Sequence, residues 1–339
     1  MSATPLIPKT VSLILAGAAS RGAYEAGVLQ VIADRAIPVR RIVGASAGAL
    51  NAAVYATGVR ARREREIAHD LVELWRVRGD WGHGAHVSLR DLVSGSGVSD
   101  SKGMLELLHS ITCPCQATDP ASVDLRIVVS PLRGIEGDFG TTYEHVLHFR
   151  DATFDNAGGL EAVINAAVAS ASIPVVFAPV ELPGVGPCLD GGMVNNAPIS
   201  YALSDDLEDE AVIVVSPMPE VMPASSAPMA GVELLSRTVD ALTNERIYRD
   251  LRRAEQINEQ LLLLDELAEA RSWSPDDLRA FKSAVGLAKK KRVQIVQIRP
   301  TEPLAGNALS GFSSRDARVS YIKAGQERAA TVLDELGWR

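Results

Sequence analysis

The side chain best placed for chemistry is a serine in a crowded turn. Gly44-Ala45-Ser46-Ala47-Gly48 has the form G-x-S-x-G. It stands between a segment that reads as a strand, Val39–Val43, and a run of small residues that reads as a helix, Ala47–Thr57. A serine at a sharp strand-to-helix turn is held in a strained conformation, and its glycines let neighbouring backbone pass close by. Such a turn presents Oγ at the carboxyl end of a sheet and at the positive end of a helix, where a developing anion is favoured. Ser46 is therefore the expected nucleophile, with Gly44, Ala45, Ala47 and Gly48 as its elbow. A tight Ser/Gly turn without chemistry is the plainer alternative.

A serine hydroxyl needs a partner to take its proton. The usual α/β-hydrolase order is Ser, then Asp or Glu, then His. That order fails here: the six histidines are His69, His83, His86, His109, His145 and His148, and none follows residue 148. His145 and His148 fit a strand; His83 and His86 fit a solvated Gly-rich loop. Among the carboxylates, Asp190-Gly191-Gly192 stands out. An aspartate before paired glycines can be held by local backbone while other chain approaches. On its own it is also an ordinary turn.

Other patterns point to less. Cys113-Pro114-Cys115 with His109 could clip a metal, but zinc usually takes four ligands and no second pair is near. The expectation is no metal and no cofactor. Gly17 to Gly22 follows a strand and suggests dinucleotide binding, but its middle glycine is Ala19 and no ribose-binding acid follows the second strand. Net charge is -8 without a basic run, which argues against nucleic acid.

The elements that must position Ser46 and Asp190 read as follows. Val11–Leu15, Val39–Val43, Asp124–Ser130, Tyr143–Phe149, Ala211–Ser216 and Val293–Ile298 are expected strands. Gly22–Arg35, Ala47–Thr57, Glu64–Arg76, Leu160–Ala169, Val232–Leu267, Asp276–Lys290 and Arg315–Leu336 are expected helices. Strand–loop–helix–strand–turn–helix is the signature of a parallel α/β sheet. The expected fold is a three-layer α/β/α domain with a mainly parallel sheet over 8–217, and a C-terminal helical region over 218–339 with one strand returning to the core. Pro217–Ala230 reads as a linker.

Val11–Ala19 imitates a signal peptide and Ala162–Val180 a membrane span. The first is short, and the second holds Pro174, Pro179 and Asn165. A cytoplasmic chain is expected, with membrane contact at most peripheral. Leu251, Ala254, Ile257, Leu261, Leu264 and Leu267 share one helical face, with Arg246, Arg249, Arg252 and Arg253 near its start. That helix should pack on the sheet or cover the site; lying in a membrane interface is the alternative.

Together four motifs resemble the patatin-like phospholipase family over about Val11–Ser204. They are the loop Ala16-Gly17-Ala18-Ala19-Ser20-Arg21-Gly22-Ala23, G-A-S-A-G around Ser46, Ala169-Ser170-Ala171-Ser172-Ile173-Pro174, and Asp190-Gly191-Gly192 followed by Asn195–Pro198. The resemblance implies a Ser46–Asp190 dyad without histidine. It also implies that the Gly17–Gly22 loop gives backbone N–H groups to an oxyanion, each worth about 3 kcal/mol in the transition state. The reaction implied is hydrolysis of fatty acyl esters through an acyl-serine, with phospholipid or another acyl lipid as substrate. An esterase for short soluble esters and a non-catalytic lipid-binding scaffold are the alternatives. One departure motivates the last: the family's loop reads Gly-Gly-Gly-x-Arg/Lys-Gly, and here Ala18 and Ala19 replace its second and third glycines. Where φ must be positive, alanine costs about 1–2 kcal/mol.

Overall fold

The computed structural model describes residues 7–80, 86–87, 99–174, 176–203, 211–221, 231–288 and 290–339. His83, Lys289 and most of the expected linker lie outside these. The chain opens with β1 (Val11–Leu15), α1 (Gly22–Asp34), β2 (Val39–Gly44), α2 (Ala47–Ala61) and α3 (Glu64–Arg78). Next come α4 (Lys102–Ile111), β3 (Asp124–Pro131), β4 (His145–Arg150), α5 (Ala157–Ser170), β5 (Val180–Leu182) and β6 (Gly186–Asp190). The one-turn α6 (Ile199–Ala202), β7 (Ala211–Val215), α7 (Gly231–Ala270), α8 (Pro275–Ala284), β8 (Gln294–Ile298), the one-turn α9 (Ser310–Ser313) and α10 (Arg315–Glu335) complete it.

The main sheet has eight strands in the order β8-β7-β1-β2-β3-β6-β5, and β4 also pairs with β3. β8, β7, β1, β2 and β3 are parallel; β4 and β6 run antiparallel to β3, and β5 pairs antiparallel with β6 and so returns to the direction of the parallel strands. β1 (VSLIL) and β7 (AVIVV) are buried along their whole length, as strands covered on both faces must be. Alternate residues serve opposite faces. Leu13, Leu15, Ile42, Ile213 and Val215 join the core made with α1, α2, α3, α5 and α10. Ile14, Val43, Val212 and Val214 meet Ile199, Ile247 and Leu251 from α6 and α7. The result is the three-layer α/β/α arrangement with a mostly parallel sheet.

Some boundaries differ from expectation for local reasons. α2 runs a turn further, to Ala61, and ends on left-handed Arg62 at φ 56. α8 stops at Ala284, where Gly286 at φ 73 turns the chain out of the helix. β5 and β6 were not expected as strands.

From Ile247 onward α7 packs on the sheet. Its Ile247, Leu251, Ala254 and Leu261 are buried. Its Asn244 Oδ1 accepts from Arg299 Nη2 at 2.6 Å, just past the carboxyl end of β8. Its Asn258 exchanges two hydrogen bonds with the backbone of Val293, before the amino end of β8. α7 therefore runs down the sheet, and its last turns pass beyond the amino ends of the strands. Leu263 and Leu267 there are exposed. No described helix is long and apolar enough to cross a membrane.

Candidate active site

Ser46 caps the start of α2 with φ 54 and ψ -131, a conformation that costs a non-glycine residue strain. The turn survives because its surroundings fix it. Ala45 N–H donates to Leu15 O at 3.3 Å. A side chain at Gly48 would overlap the Leu15 carbonyl, so only glycine lets α2 start this close to β1. Ser46 N–H donates to Ser170 Oγ at 3.0 Å, and that hydroxyl donates to Val128 O at 2.6 Å. Ser46 Oγ then donates to Asp190 Oδ2 at 2.7 Å.

Asp190 reaches Ser46 through strand register. β2 pairs with β3 only as far as Gly44 opposite Ile127. β4 holds the other edge of β3, with His145 opposite Val129. β6 also places Asp190 opposite Val129, so it must lie on the β2 edge, in the space where β2 has stopped. The chain leaving β2 enters the elbow, and the end of β6 meets it there. Asp190 N–H donates to Ser172 O at 3.0 Å, and Gly192 N–H donates to Asp190 Oδ1 at 2.7 Å. The Ala169–Ser172 segment thus holds both partners: Ser170 by its hydroxyl, Ser172 by its carbonyl. Asp190 is buried, and burial pushes its carboxyl from 3.8 up to about 6, against the opposing effect of the bonds from Ser46 and Gly192.

The loop after β1 passes beside the serine: a Cβ on Gly17 would stand 2.8 Å from Ser46 Cβ. Asn196 pins it by giving Nδ2 to Gly17 O at 2.9 Å and accepting Gly17 N–H at 2.9 Å on its own carbonyl. Most loop N–H groups are already spent. Ser20 N–H goes to Ala308 O, Arg21 N–H to Ala18 O and Gly22 N–H to Ala19 O. Ala18 and Ala19 N–H have no such partner among the described residues, nor does Ala47 N–H at the first turn of α2. Ala18 sits at φ -150 and ψ -1, so it does not need the left-handed backbone that favours glycine. Ala19 sits at φ 48, so the substitution of glycine is costly at Ala19 and not at Ala18.

Ser46 opens into an apolar cleft of about 800 Å³, its open mouth included. Leu50, Leu71, Leu74, Trp75, Met104, Leu107, Leu108, Ile173, Phe177 and Phe312 line it. Under one wall Trp75 Nε1 donates to Asn51 Oδ1 at 2.8 Å, and Asn51 Nδ2 donates to Glu25 Oε2 at 2.9 Å. Burial raises the Glu25 carboxyl well above its ordinary range, which favours its neutral form.

His69 and His109 are engaged elsewhere, and His145 lies on β4. His69 lies against Gln30 and Asp34, His109 bonds Glu161 at 2.7 Å, and His145 sits on the edge of β3 opposite the one Asp190 uses. Cys113 and Cys115 are free thiols, with Cys115 Sγ 3.7 Å from Arg60 O. Ser170 and Asn196 carry structural roles that their motifs hinted at without assigning. Glu144, which accepts from Asn195 Nδ2 at 2.7 Å and Tyr201 Oη at 2.8 Å behind the site, had no sequence signal.

A mostly parallel sheet between helices, with a strained serine bonded to a buried carboxylate beside an apolar cleft, defines a class of three-layer α/β proteins. The sequence model of the patatin-like phospholipase family matches residues 13–203, more than half of the 339 residues. The chain belongs to the patatin-like phospholipase family, a family of lipid acyl hydrolases. Comparison with curated proteins gives no match. Among solved structures, VipD from Legionella pneumophila is 14% identical over 97% of this chain and 67% of its own, with a TM-score of 0.45. The type III effector protein ExoU is 15% identical over 84% of this chain and 64% of its own, with a TM-score of 0.26. Full-length ExoU in complex with SpcU, from Pseudomonas aeruginosa, is 14% identical over 95% and 71%, with a TM-score of 0.28. The chain spans about two thirds of the length of these structures.

Proposed function

We propose that this protein hydrolyses the carboxylic esters of fatty acyl lipids with a Ser46–Asp190 dyad. The observation that carries the reading is the 2.7 Å bond from Ser46 Oγ to Asp190 Oδ2 at the head of an apolar cleft. Asp190 takes the Ser46 proton as Oγ attacks the ester carbonyl carbon. The oxyanion that forms accepts hydrogen bonds from Ala18, Ala19 and Ala47 N–H, at the positive end of α2. Collapse breaks the bond to the alcohol oxygen, which leaves with the proton held by Asp190. Water then gives a proton to Asp190 and attacks the acyl-serine; as the bond from the acyl carbon to Oγ breaks, Asp190 returns the proton to Oγ, which releases the fatty acid and restores Ser46.

The apolar lining, with Leu50, Met104 and Leu108 in it, favours an acyl chain over a small polar ester. The unspent N–H groups at Ala18 and Ala19 favour a working catalyst over a scaffold, because alanine keeps the donor that glycine would supply. Contact with a lipid surface fits the carboxyl end of the sheet. A β-ribbon, Ile135–Gly137 with Gly140–Thr142, leaves the end of β3 there with Phe139 fully exposed at its tip, and Leu132, Tyr143 and Met193 nearby in the chain or the site are exposed too. We place core and C-terminal region at 8–217 and 218–339.

A fluorophosphonate probe tests the reading. It should label Ser46 in the folded protein, and Ser46→Ala should lose both the label and at least 1000-fold in hydrolysis, the order expected for loss of a nucleophile. A folded protein that takes no label, or a Ser46→Ala variant that keeps its rate, would sink it.

A further inference from the structure

The loop beside Ser46 is held from the far end of the chain. Ser20 N–H donates to Ala308 O at 3.0 Å, and Ser20 Oγ donates to the same carbonyl at 2.7 Å. Gly311 N–H donates to Ser20 Oγ at 2.9 Å, so the hydroxyl gives and receives within one short segment. Arg21 Nη2 donates to Gly306 O at 3.1 Å. Two buried side chains of α10 hold that segment from behind: Arg318 Nη1 donates to Gly311 O at 2.6 Å, and Tyr321 Oη to Ala305 O at 2.5 Å. The fit is close, since a Cβ on Gly311 would stand 2.8 Å from Ser20 Oγ and 2.9 Å from Ser20 Cβ. The next residue, Phe312, lines the cleft.

These bonds act on the residues after Ala19, which is held at φ 48 against the preference of alanine. They also spend the Ser20 N–H and leave those of Ala18 and Ala19 unspent. Left alone, Ala19 would relax to negative φ and turn its peptide. We propose that residues 306–311 form a clasp that holds the oxyanion loop in its donating geometry, and that Ser20 and Gly311 are positioning residues for acyl transfer. The inference rests on the dyad reading. The clasp lies outside the 13–203 family match.

The test is steady-state hydrolysis of an acyl ester by the full chain carrying Ser20→Ala, Gly311→Ala or both. Each single change should lower kcat about tenfold with KM within twofold, because the loop serves the transition state more than substrate binding. The double variant should lose less than the product of the singles. The pH midpoint should not move, because Asp190 is untouched. Val332→Ala, buried on α10 away from the loop, controls for lost stability and should keep kcat well below its unfolding temperature. Wild-type kcat in folded Ser20→Ala, or a rise in KM with kcat unchanged, overturns the clasp. If neither loop variant folds, Tyr321→Phe decides: it loosens the clasp from behind, and kcat should fall about threefold; no fall overturns the proposal. Hydrolysis that survives Ser46→Ala would instead overturn the dyad, whatever the clasp variants do.

Discussion

A buried carboxylate must be ionised to accept the serine proton, and burial sets when that happens. With the Asp190 carboxyl at about 6, kcat/KM should rise with pH through that value and level off above it. A profile flat from pH 5 to 8 would contradict a role as base. The same shift has a stability consequence. Folded Asp190 holds its proton more tightly than the unfolded chain does, so stability falls as pH climbs from about 4 to about 6 and stays lowered above. Asp190→Asn removes that penalty. It should abolish most hydrolysis while raising neutral-pH stability by about 1–3 kcal/mol, read from denaturant unfolding. Ala19→Gly should raise stability by about 0.5–1 kcal/mol with activity retained, since glycine takes φ 48 without strain. Ser46 was legible in the sequence because its turn demands small neighbours. Asp190 was singled out by exclusion and motif, and only register brings it to Ser46. Ser170 and Asn196 stood inside noticed motifs, but a serine or asparagine in a loop looks alike whether it bonds water or, as here, the backbone of Ser46 and of Gly17.

The elbow is a property of two elements meeting, β1 and α2, and Gly48 is where they touch. Gly48→Ala should cost several kcal/mol or prevent folding, because the obstacle is the Leu15 backbone and not a movable side chain. Thermal unfolding of the variant against wild type checks it. The ribbon carrying Phe139 makes a separate element-scale prediction. Phe139→Asp should weaken binding to phosphatidylcholine vesicles and slow hydrolysis of vesicle lipid, while leaving hydrolysis of a soluble short ester unchanged. Equal loss on both substrates would remove the ribbon from the interfacial role. The parallel strands were readable because β7 is a continuous apolar run and β1 is broken only by Ser12. β6 was not: Gly186-Pro187-Cys188-Leu189-Asp190 has neither alternation nor β-branched residues. Its strand character comes from backbone pairing with β3 and β5, which no local pattern records. The face of α7 was legible, but where it lay was not. The same leucine stripe would suit a lid or a buried face, and the bonds at Asn244 and Asn258 select the latter.

At the scale of the molecule, the family-matching stretch is not a complete folding unit. β7 lies between β1 and β8, and α10 covers α1, so a chain cut after residue 203 would leave β1 as a bare apolar edge and one side of α1 uncovered. A 13–203 fragment should therefore show no cooperative unfolding transition and no probe labelling; a folded, labelled fragment would contradict this. The clasp gives the same dependence a time axis. Ser20 is synthesised early, while Ala308 and Gly311, its partners, come about 290 residues later. At roughly 5–20 residues per second, the loop waits about 15–60 seconds on the ribosome before its polar partners exist. On the proposed reading, the loop beside Ser46 acquires its geometry only after residues 306–311 have been made and have bound it.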